Sequence, residues 1–197
     1  WETAGARFVP DAAPHERRKL WLLNGSHSLL AYAGSIRGHR TVAQAIADPE
    51  CRGWVEQWWD EAGRHLGLPG PEIAGYRAAL LERYANPRIE HLLAQIAADG
   101  SQKIPLRVLP VLRAERAAGR SAVAAARAVA GWICHLRGLG APVADTDADR
   151  WVGLAAGPLP ESVPRVLHGL AAGLGDDADL VGTVTGLVRD LGAGRPG

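Results

Sequence analysis

The chain has no methionine, two lysines (Lys19 and Lys103), two asparagines (Asn24 and Asn86) and two cysteines (Cys51 and Cys134). Twenty of its 22 cationic side chains are arginines, so arginine stands almost wherever positive charge alone is wanted. Arginine stays protonated to about pH 12 and beyond, and cannot exchange a proton in catalysis. The two remaining lysines are therefore candidates for work that arginine cannot do. Two cysteines in helical patterns are no disulfide framework, and a reduced, cytoplasmic protein is the expectation. No His/Cys group has zinc-site spacing, so no metal is expected. The net charge of +1 gives no electrostatic footprint for a nucleic-acid partner. No apolar run nears the roughly 20 residues that cross a bilayer, so no membrane partner is expected either. With no methionine at position 1, two prolines and no period, residues 1–14 read as a linker from something upstream, and residues 15–197 as one domain.

Motif chemistry is also sparse. The chain lacks a G-x-G-x-x-G turn, a P-loop and a G-x-S-x-G elbow. Gly25-Ser26-His27 sets a serine beside a histidine, but neighbours on a helix point about 100° apart and form no dyad. No stretch alternates with period two long enough for a strand. What remains is helical throughout, and the fold class is all-α, a multi-helix domain.

The apolar pattern from His15 to about Ala33 covers most of a helix circumference, the mark of a buried helix. Thr41 is positioned to cap a short helix through Ile46. Helices follow at about 50–66 and 72–84. Asn86-Pro87 reads as a restart, with Asn as N-cap and Pro at the first position, of a helix to about Ala98. Asp99 to Lys103 reads as a loop. Further helices are expected at 106–118, 121–136, 148–156, 161–174 and 177–191.

The first of these helices carries the densest reactive cluster. Taking Lys19 as zero, Asn24 falls near 140° and His27 near 80° on an α-helix, with Leu22 and Leu29 on the far side. Polar groups on an otherwise buried helix must satisfy one another, a neighbour or a ligand. One of two lysines and one of two asparagines sit in this trio, so a ligand site is the preferred reading. A second face, Arg88, His91 and Gln95 at i, i+3 and i+7, reads on its own as a solvated helix surface.

The run Glu16-Arg17-Arg18-Lys19-Leu20-Trp21-Leu22-Leu23-Asn24-Gly25-Ser26-His27-Ser28 resembles the signature of the long-chain mannitol dehydrogenase family, which includes mannitol 2-dehydrogenases and fructuronate reductases. A second block, Arg83-Tyr84-Ala85-Asn86-Pro87 through Gln95 to Pro105, resembles it too. The resemblance spans about residues 5–155, and the last forty residues lie outside it. It implies an upstream Rossmann domain that binds NAD or NADP, joined through residues 1–14, with the helical C-terminal domain here, and catalysis without metal. It implies Lys19 as general acid/base, Asn24 and His27 as donors to the reacting oxygen, and Glu16 on a proton path to solvent. Gln95 and Lys103 would meet the remote hydroxyls or acid group of a small polyol, ketose or hexuronate, with His91 and Arg88 nearby. Lys103 or Arg88 could supply the charge that a hexuronate wants. The competing reading is a non-enzymatic helical binding module that keeps the fold. A metal enzyme built on His27 and His91 is disfavoured, for want of a third ligand at sensible spacing.

Overall fold

A computed structural model of the chain describes residues 13–194. All but two residues of the supposed linker lie outside them; Ala13 and Pro14 already belong to the first helix. Every regular element among the described residues is helical, and the one β-type pairing is an antiparallel bridge between Thr41 and Leu92. The all-α expectation holds.

The first helix, α1, runs over residues 13–36. It is not one regular α-helix. Ala13–Arg18 is α-helical, Lys19–Gly25 is π-helical, Ser26–Leu29 returns to α, and Leu30–Gly34 is π again. π-Turns bond residue i to i+5, are rare, and gather at functional sites. Here the looser winding is held by donors from outside the helix. Trp58 Nε1 donates to the Trp21 carbonyl at 2.8 Å and Trp59 Nε1 to that of Leu22 at 2.8 Å. The Tyr84 hydroxyl donates to the Leu23 carbonyl at 3.0 Å. Three successive carbonyls of the π segment thus find side-chain partners. Gly25 is obligatory at this contact, because a Cβ there would sit 2.5 Å from the Trp58 ring.

The donors come from the next helices. Thr41 caps α2 (Val42–Ala47) through a full capping box with Gln44. Asp48 then caps α3 (Pro49–Gly63), which carries Trp58 and Trp59, and α4 (Gly70–Ala85) carries Tyr84. After α5 (Leu93–Ala97) and α6 (Gly100–Arg107), α7 spans Leu109–Ala117. Glu115 on α7, almost wholly buried, takes Arg64, His65 and Arg120 and so ties α7 to the end of α3.

At the centre lies α8 (Val123–Leu136), in which all residues except Val123 and Arg127 are buried. Its alanines and Gly131 allow close approach; Gly131 packs on Tyr32 and Ala33 of α1. The Glu61 carboxylate accepts from Ala124 N and Ala125 N at 2.9 Å each and so closes the buried N-terminus of α8. The last third is α9 (Ala148–Ala155), α10 (Leu159–Leu170), a 3₁₀ turn (Leu174–Asp176) and α11 (Ala178–Ala193), with α11 lying along α8. Cys51 and Cys134 are both buried and free.

Two expected features are corrected. Asn86-Pro87 starts no helix. The Asn86 side chain accepts from Arg88 N at 3.0 Å in a local turn, and Asn86 itself is extended, as a residue before proline prefers. The chain then pairs with residues 40–42, Val42 N donating to His91 O and Leu93 N to Arg40 O. That pairing displaces the helix, so Arg88, His91 and Gln95 share no helical face. Conversely, the expected loop 99–103 is mostly helix. Asp99 adopts a left-handed conformation (φ 53°), its carbonyl accepts from Gln102 N and Lys103 N, and α6 begins at Gly100.

Candidate active site

The π segment changes the expected geometry of the trio. In an α-helix residue i+4 sits nearly over residue i; in a π-helix the closing rung is i+5. Lys19 and Asn24 are the two ends of that rung, so the winding brings them closer around the helix than the angles of an ideal α-helix imply. Lys19 is exposed and Asn24 partly buried. Glu16, one turn earlier, is exposed on the α-helical start. Arg18 turns elsewhere: it pairs with Glu72 and lies 4.4 Å over the Tyr76 ring, bracing α1 on α4.

His27 is held from two sides. Its ring stacks on Tyr84 at 4.8 Å and meets His91 edge-on at 5.6 Å. Burial lowers its pKa to about 4, helped by the charges of His91, Arg83 and Arg107, so the ring is neutral at pH 7. Its Nε2 atom is buried and has no hydrogen-bond partner. Buried polar atoms are nearly always paired, and an orphan of this kind on a polar face fits a ligand atom.

The second lysine approaches from α6. Lys103 Nζ donates to the Ile96 carbonyl at 3.1 Å. Burial pulls its pKa down, as does Arg107, while Asp99 and Asp145 act the other way. One turn along the same helix, Arg107 Nη1 donates to the Ser28 hydroxyl at 3.2 Å, directly beside His27. Burial lowers the pKa of Arg107 as well. Asp145 is already engaged by the Ser101 amide and hydroxyl and by Asp147 N.

Of the sequence-predicted residues, Lys19, Asn24 and His27 lie along one helix, and His91 joins them through the His27 ring contact. Lys103 lies one helical turn from Arg107, which donates to Ser28, the residue after His27. Arg88 and Gln95 are exposed and are not drawn into this group by any contact. Sequence reasoning missed Tyr84, Ser28 and Arg107. Arg107 stands at i+4 from Lys103, a spacing that identifies it once residues 100–107 are seen as helical.

A possible metal group also escapes the spacing: His39, Asp48 and Cys51 bring ligand-type atoms within 4.8 Å of one another. Asp48 is spoken for, however. It accepts from Arg37 at 2.8 Å, contacts His39 at 2.9 Å and caps α3 through Glu50 N at 2.9 Å. Burial pushes the Cys51 thiol up to about 12, with Asp48 adding to it. The set reads as a braced helix cap.

Fold and site together define a helical domain of an oxidoreductase family. Residues 11–185 match the family described as mannitol dehydrogenase C-terminal domain, and the chain belongs to that family. The match runs past residue 155 and takes in α10 and half of α11, so most of the last forty residues belong to it as well. The chain is 35% identical to the D-mannonate oxidoreductase of Escherichia coli, over 97% of this chain and 42% of that protein. It is 34% identical to a mannitol dehydrogenase of Saccharomyces cerevisiae, over 71% of this chain and 28% of that one. Its fold superposes on a Pseudomonas fluorescens mannitol 2-dehydrogenase, solved as a ternary complex with NAD and D-mannitol, with a TM-score of 0.87. That comparison gives 29% identity and covers 98% of this chain and 42% of the other. The chain thus spans about two fifths of the length of the mannonate oxidoreductase and of the solved structure. No helix among the described residues is long and apolar enough to cross a membrane.

Proposed function

We propose that this chain is the substrate-binding and catalytic domain of an NAD(P)-dependent, metal-independent dehydrogenase of small polyols or sugar acids. It interconverts a secondary alcohol and a ketose of the mannitol/fructose or mannonate/fructuronate kind. A Rossmann domain, joined through residues 1–14, completes the enzyme, which works in the cytoplasm, where its two free thiols stay reduced. The named relatives, a mannonate oxidoreductase and mannitol dehydrogenases, support the substrate class.

The observation that carries the reading is the unpartnered Nε2 of His27, on the helix whose π-turn aligns Lys19 with Asn24. Lys19 is the general acid/base. In oxidation its free amine takes the alcohol proton as hydride leaves the same carbon; in reduction the ammonium returns that proton. The bound nicotinamide supplies the hydride acceptor or donor. Asn24 and the neutral His27 present N–H groups to the reacting oxygen and stabilise its alkoxide character. Glu16, exposed one turn away, passes the proton to water. Lys103 holds the far end of the substrate beside His91, and the exposed Gln95 and Arg88 stand at the rim. Lys19 lies open on the surface of this domain; the nucleotide domain closing over it would exclude water from the proton transfer.

The test is Lys19→Ala in the full-length enzyme. Turnover should fall about 10²- to 10⁴-fold, the usual share of a general acid/base, while NADH still quenches protein fluorescence at the same concentration. Near-normal turnover removes Lys19 from the mechanism.

A further inference from the structure

Arg107 is a half-buried cation with no anion. Its hydrogen-bond partner is a neutral hydroxyl, Ser28 Oγ, at 3.2 Å. Lys103, one turn away on α6, donates to a neutral carbonyl, that of Ile96. Among the described residues neither forms a salt bridge, although most of the arginines that touch the interior do. Arg18 has Glu72, Arg37 has Asp48, and Arg116 has Asp177. The acids closest to Lys103 in the field, Asp99 and Asp145, stay beyond ion-pair distance. Asp145 is bound to the Ser101 amide and hydroxyl and to Asp147 N, and Asp99 holds the left-handed turn that starts α6.

Taking a guanidinium partly out of water without a counter-charge is costly, and buried charges are normally paired. Two such cations at i and i+4 also repel. An anion held between them would offset both costs. Arg107 lies near His27, since it donates to the hydroxyl of Ser28, the next residue in the chain, and its charge helps to lower the His27 pKa, while the Nε2 of that ring is buried and unpartnered. An anion here would therefore be part of whatever molecule reaches His27.

We propose that Arg107, acting with Lys103, is a carboxylate clamp that makes this domain selective for sugar acids over neutral polyols. Arginine suits the role because its planar fork meets a carboxylate through two parallel hydrogen bonds. Ser28 holds one nitrogen and so fixes the fork, leaving the others for the ligand. The inference rests on the proposed dehydrogenase reading for its substrate and extends it from a polyol-or-acid choice to the acid.

Two measurements test it. In the full-length enzyme, kcat/KM for D-fructuronate should exceed that for D-fructose. Arg107→Met should cut the ratio of the two roughly 10- to 100-fold, the worth of a hydrogen bond to a charged group, mainly through KM. Arg107→Lys should recover part of the ratio. A wild-type preference for fructose, or an unchanged ratio in Arg107→Met, overturns the clamp. Separately, D-mannonate and D-mannitol are titrated into the protein while the His27 ring resonances are followed. Mannonate should bind more tightly, and Arg107→Met should abolish the difference. Should mannonate bind at His27 in this way while no ketose is reduced, the clamp stands and the dehydrogenase reading fails. Should mannonate bind no better than mannitol, the clamp fails whatever the turnover.

Discussion

The two helices richest in buried residues, α1 and α8, solve one problem in opposite ways. From Trp21 onward α1 is, like α8, surrounded on nearly every side. α8 keeps a regular α-ladder, uses alanine and glycine to let neighbours close in, and needs outside help only at its N-terminus, where Glu61 receives two amides. α1 is wound as π-helix in two stretches and needs help in mid-helix, where two tryptophans and a tyrosine take its carbonyls. A regular helix is the cheaper structure; nature tolerates π-turns where they position chemistry. The helix with the irregular ladder is the one that bears Lys19, Asn24 and His27, and this contrast supports the proposed site.

The same substitution in the two helices should sharpen the contrast most. Gly25→Ala puts a methyl 2.5 Å from the Trp58 ring, and overpacking of this kind costs about 1–3 kcal/mol. The melting temperature should drop by several degrees, with turnover falling alongside as the rung from Lys19 to Asn24 shifts. Gly131→Ala meets Tyr32 Cβ at 3.2 Å and the Ala33 nitrogen at 3.3 Å. There the tight fit is offset by about 1 kcal/mol of helix propensity, and stability should change little. Equal losses at the two sites would erase the distinction. Next in size, Glu61→Ala removes the acceptor of two buried amides and should cost about 2 kcal/mol in urea unfolding, with α8 content reduced in circular dichroism. Tyr84→Phe removes the donor to Leu23 O and should cost about 1 kcal/mol; a variant as stable as wild type would mean that the π segment does not depend on that hydroxyl.

The smallest effect is on pH dependence. The His27 pKa falls from 6.5 unfolded to about 4 folded, with burial the main cause. The unfolded chain therefore binds the extra proton between those values, so stability from this group is complete above pH 6.5 and is lost as pH falls toward 4. His135, also lowered by burial, acts in the same direction. His27→Gln should flatten the stability–pH slope across that window, by at most one proton. An unchanged slope would mean that the ring is not held neutral.

Much of this was legible in the residues. The helix expected at 121–136 and the Thr41 cap follow local rules that tertiary structure leaves alone, and they hold. Lys19 and Asn24 stand out as candidates because the composition spares so few lysines and asparagines, and His27 because it shares their helix arc. The π winding was not legible, since it depends on Trp58, Trp59 and Tyr84, which lie 37 to 61 residues from the carbonyls they serve. The false helix at Asn86-Pro87 has a similar origin. Its capping signal was sound, but pairing of residues 91–93 with 40–42 overrode it. Arg107 escaped notice because α6 begins at a left-handed Asp99, where loop propensity conceals a helix start.

The most direct test of the central claim is oxidation of NADH and NADPH by the full-length gene product with D-fructose, D-fructuronate and D-tagaturonate, the 197-residue chain being assayed alongside. The long form should reduce at least one of the three and the chain alone none. A full-length protein inert toward all three, or an isolated chain that matches it, would contradict the reading of this chain as the catalytic half of a dehydrogenase.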